Sequence, residues 1–437
     1  MKLFLSIVLA ILFSLPLSAQ ENGLKAGPML GAVEMREVKI WLQTNAKATV
    51  QIEFKQSDVN QVRFSKTYRS TAANYFTNTL ILDSLEPGLN YVYRIHLNGQ
   101  ALSNDWPYQF STQELFQFRT DPPSFTFAMG SCSYKNEEQY DRPGKPYGAG
   151  QEIFNLINKA RPDFMLWLGD NTYLREADWY SKTGIYHRYS YSRADENLQE
   201  LLSNAAHYAI WDDHDYGPND SHRSYRDKAY TYEAFKDFWA NPSYGENGKG
   251  IYTQFTWADC DFFLLDNRTF RYPNERSKEK KAGILGEEQI QWLLDGLSSS
   301  KAPFKFICVG GQILNTGAVY ENHAIYKRER KKILKAIAKM KIEGVVFLTG
   351  DRHHSALSAY KPCFAPKMYD LTVSPLSSKA YEPREKNKNL LEETLVVDQN
   401  FGLISVSGPR KARELTITII TKDGEVAWQR KMQKSDF

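Results

Sequence analysis

The densest group of chemistry-bearing residues in this sequence consists of Asp212, Asp213, His214 and Asp215, three carboxylates and an imidazole at consecutive positions. They follow directly after the apolar run 208–211, which is typical of a short buried strand. Charged groups at the end of a buried strand are costly to desolvate unless a positive group neutralises them. Carboxylate oxygens and imidazole nitrogens are common metal ligands. The stretch therefore predicts a metal site, and a solvated acidic turn is the alternative interpretation.

Other apolar runs of strand length also lead into polar residues. Each apolar run is followed within a few residues by a polar one: Cys132 follows 125–129, Asp170 follows 163–168, Asp266 follows 262–265, Gln312 follows 304–309, and Asp351 follows 345–348. Helical spacing occurs between them, at 153–160, 285–297 and 326–341. Strands that alternate with helices predict an α/β fold with a layered sheet. Because such sheets build their sites at the carboxyl ends of the strands, the polar clusters are expected to converge.

Five short motifs occur along the chain in a characteristic order. They are GSCS at 130–133, GDNTY at 169–173, WDDHD at 211–215, LDNRTFR at 265–271 and GDRHH at 350–354. Together they resemble the metallophosphoesterase superfamily, and most closely its alkaline phosphatase D (PhoD-like) family. The resemblance implies a layered metallophosphoesterase-type sheet sandwich flanked by helices. It also implies a phosphoric ester hydrolase with a binuclear or multinuclear metal centre.

The resemblance further implies a set of metal ligands. The candidates are Cys132, Asp170, Tyr173, Asp213, Asp351 and His353. Asp170 would bridge two metals, with Cys132 and Tyr173 on the first metal and Asp213 on the second. Thiolate and phenolate ligands favour a ferric ion, whereas carboxylates favour calcium. Ferric iron and calcium are therefore the expected metals, with manganese, magnesium or zinc as alternatives.

Two residues near these ligands are the candidates for catalysis. His214 is expected to donate to a phosphoryl oxygen or to the leaving group, and Arg352 to stabilise developing charge. The implied reaction is the attack of a metal-activated hydroxide on a phosphomonoester, a phosphodiester or both. A phospholipase D-like activity on lipid phosphodiesters and a non-catalytic surface-binding role are the alternatives.

Polar residues beside the motifs allow more local predictions. Gln312 is a candidate for an additional metal ligand, and His207 is expected to be a hydrogen-bonded core histidine. Asp266, Arg268 and Arg271 predict a structural ion-pair network in preference to a phosphate contact.

Two longer segments have competing interpretations. The tyrosine-rich segment 180–191 is either a lid that shapes the substrate pocket or an aromatic-packed surface loop. The basic helix 326–341 predicts a solvated face over the sheet, and a contact with an anionic polymer or membrane is the alternative.

The first 19 residues predict an export signal. Lys2 precedes the apolar run 3–15, and Leu17, Ser18 and Ala19 form a small-residue cleavage pattern before Gln20. We therefore expect an exported protein, periplasmic or secreted, that is cleaved near Ala19-Gln20.

The remaining chain divides into two predicted domains. Residues 20–120 show short alternating strands separated by turns, which predict an all-β sandwich similar to fibronectin type III modules. Pro122 and Pro123 indicate a linker, because consecutive prolines resist regular structure. Residues 121–437 are the predicted catalytic domain. Its closing strands are expected at 401–406, 414–421 and 426–432.

The overall charge of the chain is nearly balanced. It has 55 Lys and Arg against 51 Asp and Glu, a net charge of +4, which carries no nucleic-acid-binding signature and does not repel an anionic substrate. We expect a small phosphate ester or phosphodiester as the binding partner. No stretch after the export signal is long and apolar enough for a stable membrane span. Cys260 and Cys308 are expected to be small buried side chains, and the disulfide pairings stay open.

Overall fold

The computed structural model describes residues 23–437, so the predicted export signal lies outside the described residues. The strands are β1 (Leu24–Val33), β2 (Val38–Thr44), β3 (Thr49–Gln56), β4 (Arg63–Phe64), β5 (Tyr68–Arg69), β6 (Thr77–Leu82), β7 (Asn90–Leu97), β8 (Gln100–Ala101), β9 (Tyr108–Ser111), β10 (Phe125–Gly130), β11 (Phe164–Leu168), β12 (Ala206–Ile210), β13 (Thr253–Trp257), β14 (Cys260–Leu264), β15 (Lys305–Val309), β16 (Val345–Thr349), β17 (Ala356–Tyr360), β18 (Met368–Thr372), β19 (Asn400–Ser407), β20 (Glu414–Thr421) and β21 (Val426–Gln433). The α-helices are α1 (Ile153–Lys159), α2 (Lys182–Arg193), α3 (Glu196–Asn204), α4 (Asp213–Tyr216), α5 (Lys228–Phe238), α6 (Glu287–Ser299) and α7 (Lys327–Lys339). Between residues 23 and 437, no helix is both long and apolar enough to cross a membrane.

Two large sheets pack face to face and form the body of the fold. The first has the strand order β21-β20-β19-β10-β11-β12-β1-β2-β6, and the second has the order β13-β14-β15-β16-β18-β17. Aromatic side chains fill the space between them. The ring of Phe127 lies 5.4 Å from the rings of both Phe262 and Phe306. The layered α/β sandwich expected from the sequence is therefore confirmed.

Parallel strands occupy the centre of each sheet. Strands β10, β11 and β12 are neighbours in the first sheet, and β14, β15 and β16 are neighbours in the second. Parallel neighbours in register end at the same edge, so the loops that follow them lie side by side. This edge carries the polar residues of the motifs.

The helices predicted at 153–160, 285–297 and 326–341 are present as α1, α6 and α7. Helix α7 buries Ile333 and Ile337 against the outer face of the second sheet and leaves most of its lysines exposed, so the predicted solvated face is confirmed. Helices α2, α3 and α5 have no counterpart among the predicted elements. Helix α2 buries Arg188 and Arg193 together with its tyrosines, and these inward-facing polar residues hide the apolar stripe on which a helix prediction depends.

An all-β region, residues 24–111, precedes the central strands. Strands β1, β2 and β6 extend the nine-stranded sheet, because Leu30 of β1 pairs with Ala206 of β12. Strands β3 and β7 form a separate small sheet with β4, β5, β8 and β9. One sheet is thus continuous across the predicted domain boundary at residue 120, and that boundary stays a prediction.

The chain ends in antiparallel strands that complete the first sheet. Strands β19, β20 and β21 follow one another, and β19 pairs with β10. These are the predicted closing strands. All four cysteines lie in the described part of the chain and are free, and Cys260 and Cys308 are buried as expected.

Candidate metal centre

The loops after four parallel strands meet at one edge of the sandwich. Cys132 lies two residues after β10, Asp170 two residues after β11, and Asp351 two residues after β16. Asp213 begins the short helix α4, three residues after β12. The structure therefore brings together side chains that are separated by up to 219 positions in the sequence, from Cys132 to Asp351.

The carboxylate of Asp170 is the meeting point of three candidate residues. Its Oδ2 atom lies 3.5 Å from Cys132 Sγ, and the hydroxyl of Tyr173 donates to the same oxygen at 3.3 Å. Its Oδ1 atom accepts a hydrogen bond of 3.2 Å from the backbone N–H of His214. A thiol, a phenol and a carboxylate thus share one small volume, as the resemblance implied.

The carboxylate of Asp213 belongs to three groups of potential ligand atoms. Within each group, all ligand atoms lie within 4.8 Å of one another. The groups are Asp170–Asp213–His214, Asp212–Asp213–Asp351 and Asp213–Asp220–Glu321. The first two contain residues from the motifs. The third contains Asp220 and Glu321, which the motifs do not include.

Several oxygens in these groups have no hydrogen-bond partner although they are buried. They are Oδ1 of Asp213, Oδ2 of Asp351 and Oδ2 of Asp212. A buried carboxylate oxygen without a partner loses its hydration and gains nothing in return. Divalent and trivalent cations compensate such oxygens directly, so these residues fit a metal centre.

The protonation equilibria of these groups show the same lack of compensation. Burial, followed by the charges of Asp213 and Cys132, raises the pKa of Asp170 well above its ordinary value. Burial and the charge of Asp212 have the same effect on the pKa of Asp351. Burial also raises the pKa of the Cys132 thiol to about 12. The negative forms of these side chains therefore need a positive group beside them.

Asp213 differs from the other carboxylates. Burial acts to raise its pKa, but the positive charges of His214 and Arg268 outweigh burial and lower it. The backbone N–H of Asp220 also donates to its Oδ2 atom at 2.8 Å. Asp213 is therefore the carboxylate of the centre that is most easily kept ionised.

Strained backbone conformations accompany the candidate ligands. Cys132, Asp170, Asp351 and His353 have φ angles of 58°, 51°, 66° and 56°. Non-glycine residues rarely adopt this left-handed region, and such strain persists only where surrounding structure enforces it. Four such residues at one edge indicate that the loops are shaped to aim side chains at a common point.

The two histidines of the centre are held in different ways. The ring of His214 stacks on Tyr173, with 4.3 Å between ring centroids. Burial lowers the pKa of His214, and the charge of Asp213 acts in the opposite direction. The Nδ1–H of His353 donates to the carbonyl of Lys379, which leaves Nε2 as the free ring nitrogen. His353 lies outside the three groups of ligand atoms but lines the same cleft.

Comparisons with known proteins show the family of this chain. The family model described as PhoD-like phosphatase matches residues 127–408, which is more than half of the chain. The chain belongs to the PhoD-like phosphatase family. The resemblance inferred from the five motifs is thereby confirmed. A second family model, described as a domain of unknown function (DUF7800), matches residues 21–115.

This PhoD-like chain is similar to a curated relative in sequence and to two solved structures in fold. Alkaline phosphatase D from Bacillus subtilis (strain 168) is 26% identical over 322 residues, which are 62% of this chain and 52% of that protein. The match thus spans about half the length of the relative. A structure of PhoD has a TM-score of 0.73 at 17% identity and covers 92% of this chain and 91% of its own. A purple acid phosphatase, PPD1 from yellow lupin (Lupinus luteus), has a TM-score of 0.67 at 13% identity, covering 93% and 74%. At these identities both structures show the shared fold alone.

In this PhoD-like chain, Arg352 is fixed by neighbours on two loops. Its Nη1 atom donates to Glu385 at 2.8 Å and to Oε1 of Gln312 at 3.1 Å. Gln312 also accepts from Asn315 and donates to Thr372. Both polar atoms of Gln312 therefore have protein partners, and its predicted role as an additional metal ligand is not supported.

The predicted ion-pair network exists with different acidic members. Arg268 donates to Asp212 and, at 2.8 Å, to Glu321, and Arg271 lies 2.9 Å from Glu321. Asp266 instead accepts hydrogen bonds from the indole of Trp211 and from backbone N–H groups. The arginines are structural as predicted, but Asp266 is not their ion-pair partner.

His207 is a core histidine, as expected. It accepts a hydrogen bond of 2.9 Å from the indole of Trp167, and its other ring nitrogen donates to the carbonyl of Leu201 at 3.0 Å. Burial lowers its pKa to about 3. Both ring nitrogens of His207 are thus hydrogen-bonded within the core, and neither is free to bind a metal.

A cleft of about 740 Å³ opens above the candidate ligands. Its walls include tyrosines and charged residues that the motifs did not identify, namely Tyr147, Tyr320, Tyr381, Asp220, Glu321 and Arg384. Segment 180–191 does not line the cleft; most of it forms α2, and Tyr189 packs on Phe238 of α5. The lid interpretation is therefore wrong. The aromatic packing of the alternative interpretation is present, but it lies on helix α2 and not on a surface loop.

The residues missed by sequence reasoning come from loops without a recognisable pattern. Tyr320 and Glu321 lie between β15 and α7, and Tyr381 and Arg384 lie in the loop after β18. The only sequence signal was the Lys/Glu-rich composition of the second loop, which indicates exposure but no specific function.

Proposed function

We propose that this chain hydrolyses phosphate monoesters, phosphate diesters or both at a metal centre beneath the cleft. The proposed ligands are Cys132, Asp170, Tyr173, Asp213, Asp351 and His353. The observation that carries the proposal is the set of overlapping ligand groups around Asp213, with buried carboxylate oxygens that have no partner. The B. subtilis relative is named an alkaline phosphatase, which supports the same chemistry and an alkaline optimum.

The donor atoms also bear on which metals the centre takes. Cys132 and Tyr173 approach the same oxygen of Asp170, and a thiolate with a phenolate suits ferric iron. Asp213 and Asp351 offer only oxygen atoms, which suit calcium. Manganese, magnesium and zinc are the alternatives. When bound, such metals supply Lewis acidity towards the phosphoryl group and a nucleophilic water at moderate pH.

The chain itself supplies positioning and charge. His214 is held by its stack on Tyr173 and by its backbone bond to Asp170, so its ring is fixed beside the centre. We assign its N–H to the phosphoryl oxygen or the leaving group. Arg352 lines the cleft with Nη1 anchored on Glu385 and Gln312, and we assign its guanidinium to a phosphoryl oxygen.

Export is part of the same proposal. The segment 1–19 has the pattern of an export signal, and an exported protein meets extracellular phosphate esters that cannot cross a membrane. The physiological substrate we expect is therefore a small ester or diester outside the cytoplasm.

The decisive experiment compares metal content with turnover. We would purify the chain without chelator and measure its metals. Hydrolysis of p-nitrophenyl phosphate and bis-p-nitrophenyl phosphate would then be followed from pH 6 to 10. Asp170→Asn is expected to lose both metal and turnover, because it removes a charge from the centre of the ligand set. Asp295→Asn, on the exposed face of α6, is the matched control and should behave as wild type. Full turnover in Asp170→Asn would refute the proposed centre.

A further inference from the structure

Tyr320 is an exposed aromatic residue in the wall of the cleft. It lines the cleft with 57% of its surface exposed to solvent, and Tyr381, with 45% exposed, lines the cleft as well. Tyr320 differs from a singly exposed surface residue because its ring stands at the mouth of the cleft, where a ligand can reach it.

The backbone around Tyr320 is constrained in a costly conformation. Tyr320 and Glu321 both have positive φ angles, 43° and 63°. Glu321 points inward, where Arg268 holds it at 2.8 Å and Arg271 at 2.9 Å. Because these ion pairs are buried, the turn cannot relax without breaking them. The inward fixation of Glu321 is what keeps the neighbouring Tyr320 ring turned out into the cleft.

One face of the Tyr320 ring is already covered. The guanidinium of Arg352 lies over it, 4.9 Å from the ring centroid, and Glu385 anchors that guanidinium at 2.8 Å. A cation over an aromatic face is attractive, and here it also fixes the orientation of the ring. The opposite face remains open, and it is flat, apolar and held in place.

The open face lies beside the proposed reaction site. Glu321, the next residue, contributes a ligand atom within 4.8 Å of one on Asp213. Arg352, which covers the ring, is the residue assigned to a phosphoryl oxygen. A substrate whose phosphoryl group lies at the centre and contacts Arg352 can extend its leaving group past Tyr320.

We propose that Tyr320 determines specificity, and that it favours phosphate esters whose leaving group carries a flat unsaturated ring. This inference rests on the proposed function above. The ring of the leaving group stacks on the open face of Tyr320, as aromatic rings do in offset or edge-to-face geometry. Aryl esters and esters that bear a nucleobase are the substrate classes with such a ring.

The test uses two esters of similar size, one with a flat ring and one with a puckered ring. Benzyl phosphate and cyclohexylmethyl phosphate both release a primary alcohol, and the intrinsic difference in their reactivity is the same for every variant. The change in the ratio of their kcat/KM values between variants therefore reports the ring contact. An aromatic pair contributes roughly a twofold to twelvefold preference. We expect the ratio of benzyl to cyclohexylmethyl ester for the metal-loaded wild type to exceed the ratio for Tyr320→Leu by that factor, and Tyr320→Phe should keep the wild-type ratio.

A matched control is available in Tyr180. It is 54% exposed and carries the guanidinium of Arg226 over its ring at 4.3 Å, but it does not line the cleft. Tyr180→Leu should leave the ratio unchanged. An equal loss on both esters in Tyr320→Leu would overturn the inference, because it would mean that the ring only supports Arg352.

A second readout separates this inference from the proposed function. Benzylphosphonate and cyclohexylmethylphosphonate cannot be hydrolysed, and calorimetry gives their dissociation constants with the metal-loaded protein. If the wild type hydrolyses neither ester, the proposed monoesterase function is contradicted, but the inference about Tyr320 is not. The ratio of the two dissociation constants then tests the inference. A preference for benzylphosphonate that Tyr320→Leu removes supports it, and equal binding of the two phosphonates overturns it.

Discussion

Arg268 is the residue outside the proposed ligand set whose removal should damage the metal centre most, and its guanidinium also lies 4.0 Å from Oδ1 of Asp213. Its side chain is 1% exposed and donates to Asp212, to Glu321 and to the carbonyl of Ser221. Asp212 and Glu321 are themselves buried, with side-chain exposures of 1% and 7%. Arg268→Met therefore leaves two buried acids with less compensation and keeps nearly the same volume.

The expected loss of unfolding free energy depends on which partners each of the two acids keeps. Among residues 23–437, Arg268 is the cationic partner of Asp212, so Asp212 loses that partner and keeps the amide of Asn267 at 2.7 Å, whereas Glu321 keeps Arg271. Removing one partner of a buried ion pair costs about 3–5 kcal/mol in the free energy of unfolding. Arg271→Met leaves Glu321 still bonded to Arg268. The charged contact with Glu321 that it removes is worth about 1.5–3 kcal/mol, and the hydrogen bonds of Arg271 to the carbonyl of Glu321 and to Asn274 are lost with it.

Urea denaturation of the metal-free protein measures these differences directly. Arg268→Met should lower the free energy of unfolding more than Arg271→Met does. Arg276→Met, which breaks an exposed pair with Glu279, should have no measurable effect. If Arg268→Met costs no more than Arg271→Met, then Asp212 is not stabilised by Arg268 and the reasoning fails.

Two further predictions concern protons. Burial lowers the pKa of His207 in the folded protein to about 3, whereas its pKa in the unfolded chain is near 6.5. The contribution of the neutral, buried His207 to the free energy of unfolding is therefore complete above pH 6.5 and is lost as the pH falls towards 3. Between pH 7 and pH 5, wild type should lose about 2 kcal/mol more of unfolding free energy than His207→Gln, in which the amide can bond Trp167 and Leu201; parallel pH profiles would contradict this. Burial also raises the pKa of Cys132 to about 12 and that of Tyr173 well above its ordinary value, so both hold protons in the metal-free protein at pH 8. Loading ferric iron in weak buffer should therefore release about one proton fewer from Cys132→Ser than from wild type, and equal release would exclude Cys132 as a thiolate ligand.

The sequence predicted the fold class and the strands of the centre correctly because those signals are local. A short apolar run that leads into Gly-Asp describes a strand and its loop within a single stretch, as at 164–170 and 345–351. Helices α6 and α7 were predictable for a similar reason, since their apolar residues repeat with the period of the helix. Parallel strands in register then bring the residues after them to one edge, so the meeting of Asp170, Asp213 and Asp351 followed from the fold class.

The partners of the polar residues were decided by the tertiary structure alone. Arg268 is two residues from Asp266 in the sequence, yet its ion pairs are with Asp212 and Glu321, which are 56 and 53 positions away. Likewise, Glu385 reaches Arg352 and Glu321 joins Asp213 only because loops from different parts of the chain pack over the same edge. An ion pair depends on distance and direction within a few ångströms, and no periodicity or composition records where a loop of irregular backbone places its side chains. The same limit explains Tyr320, since its exposure follows from a strained turn that two buried arginines hold in place.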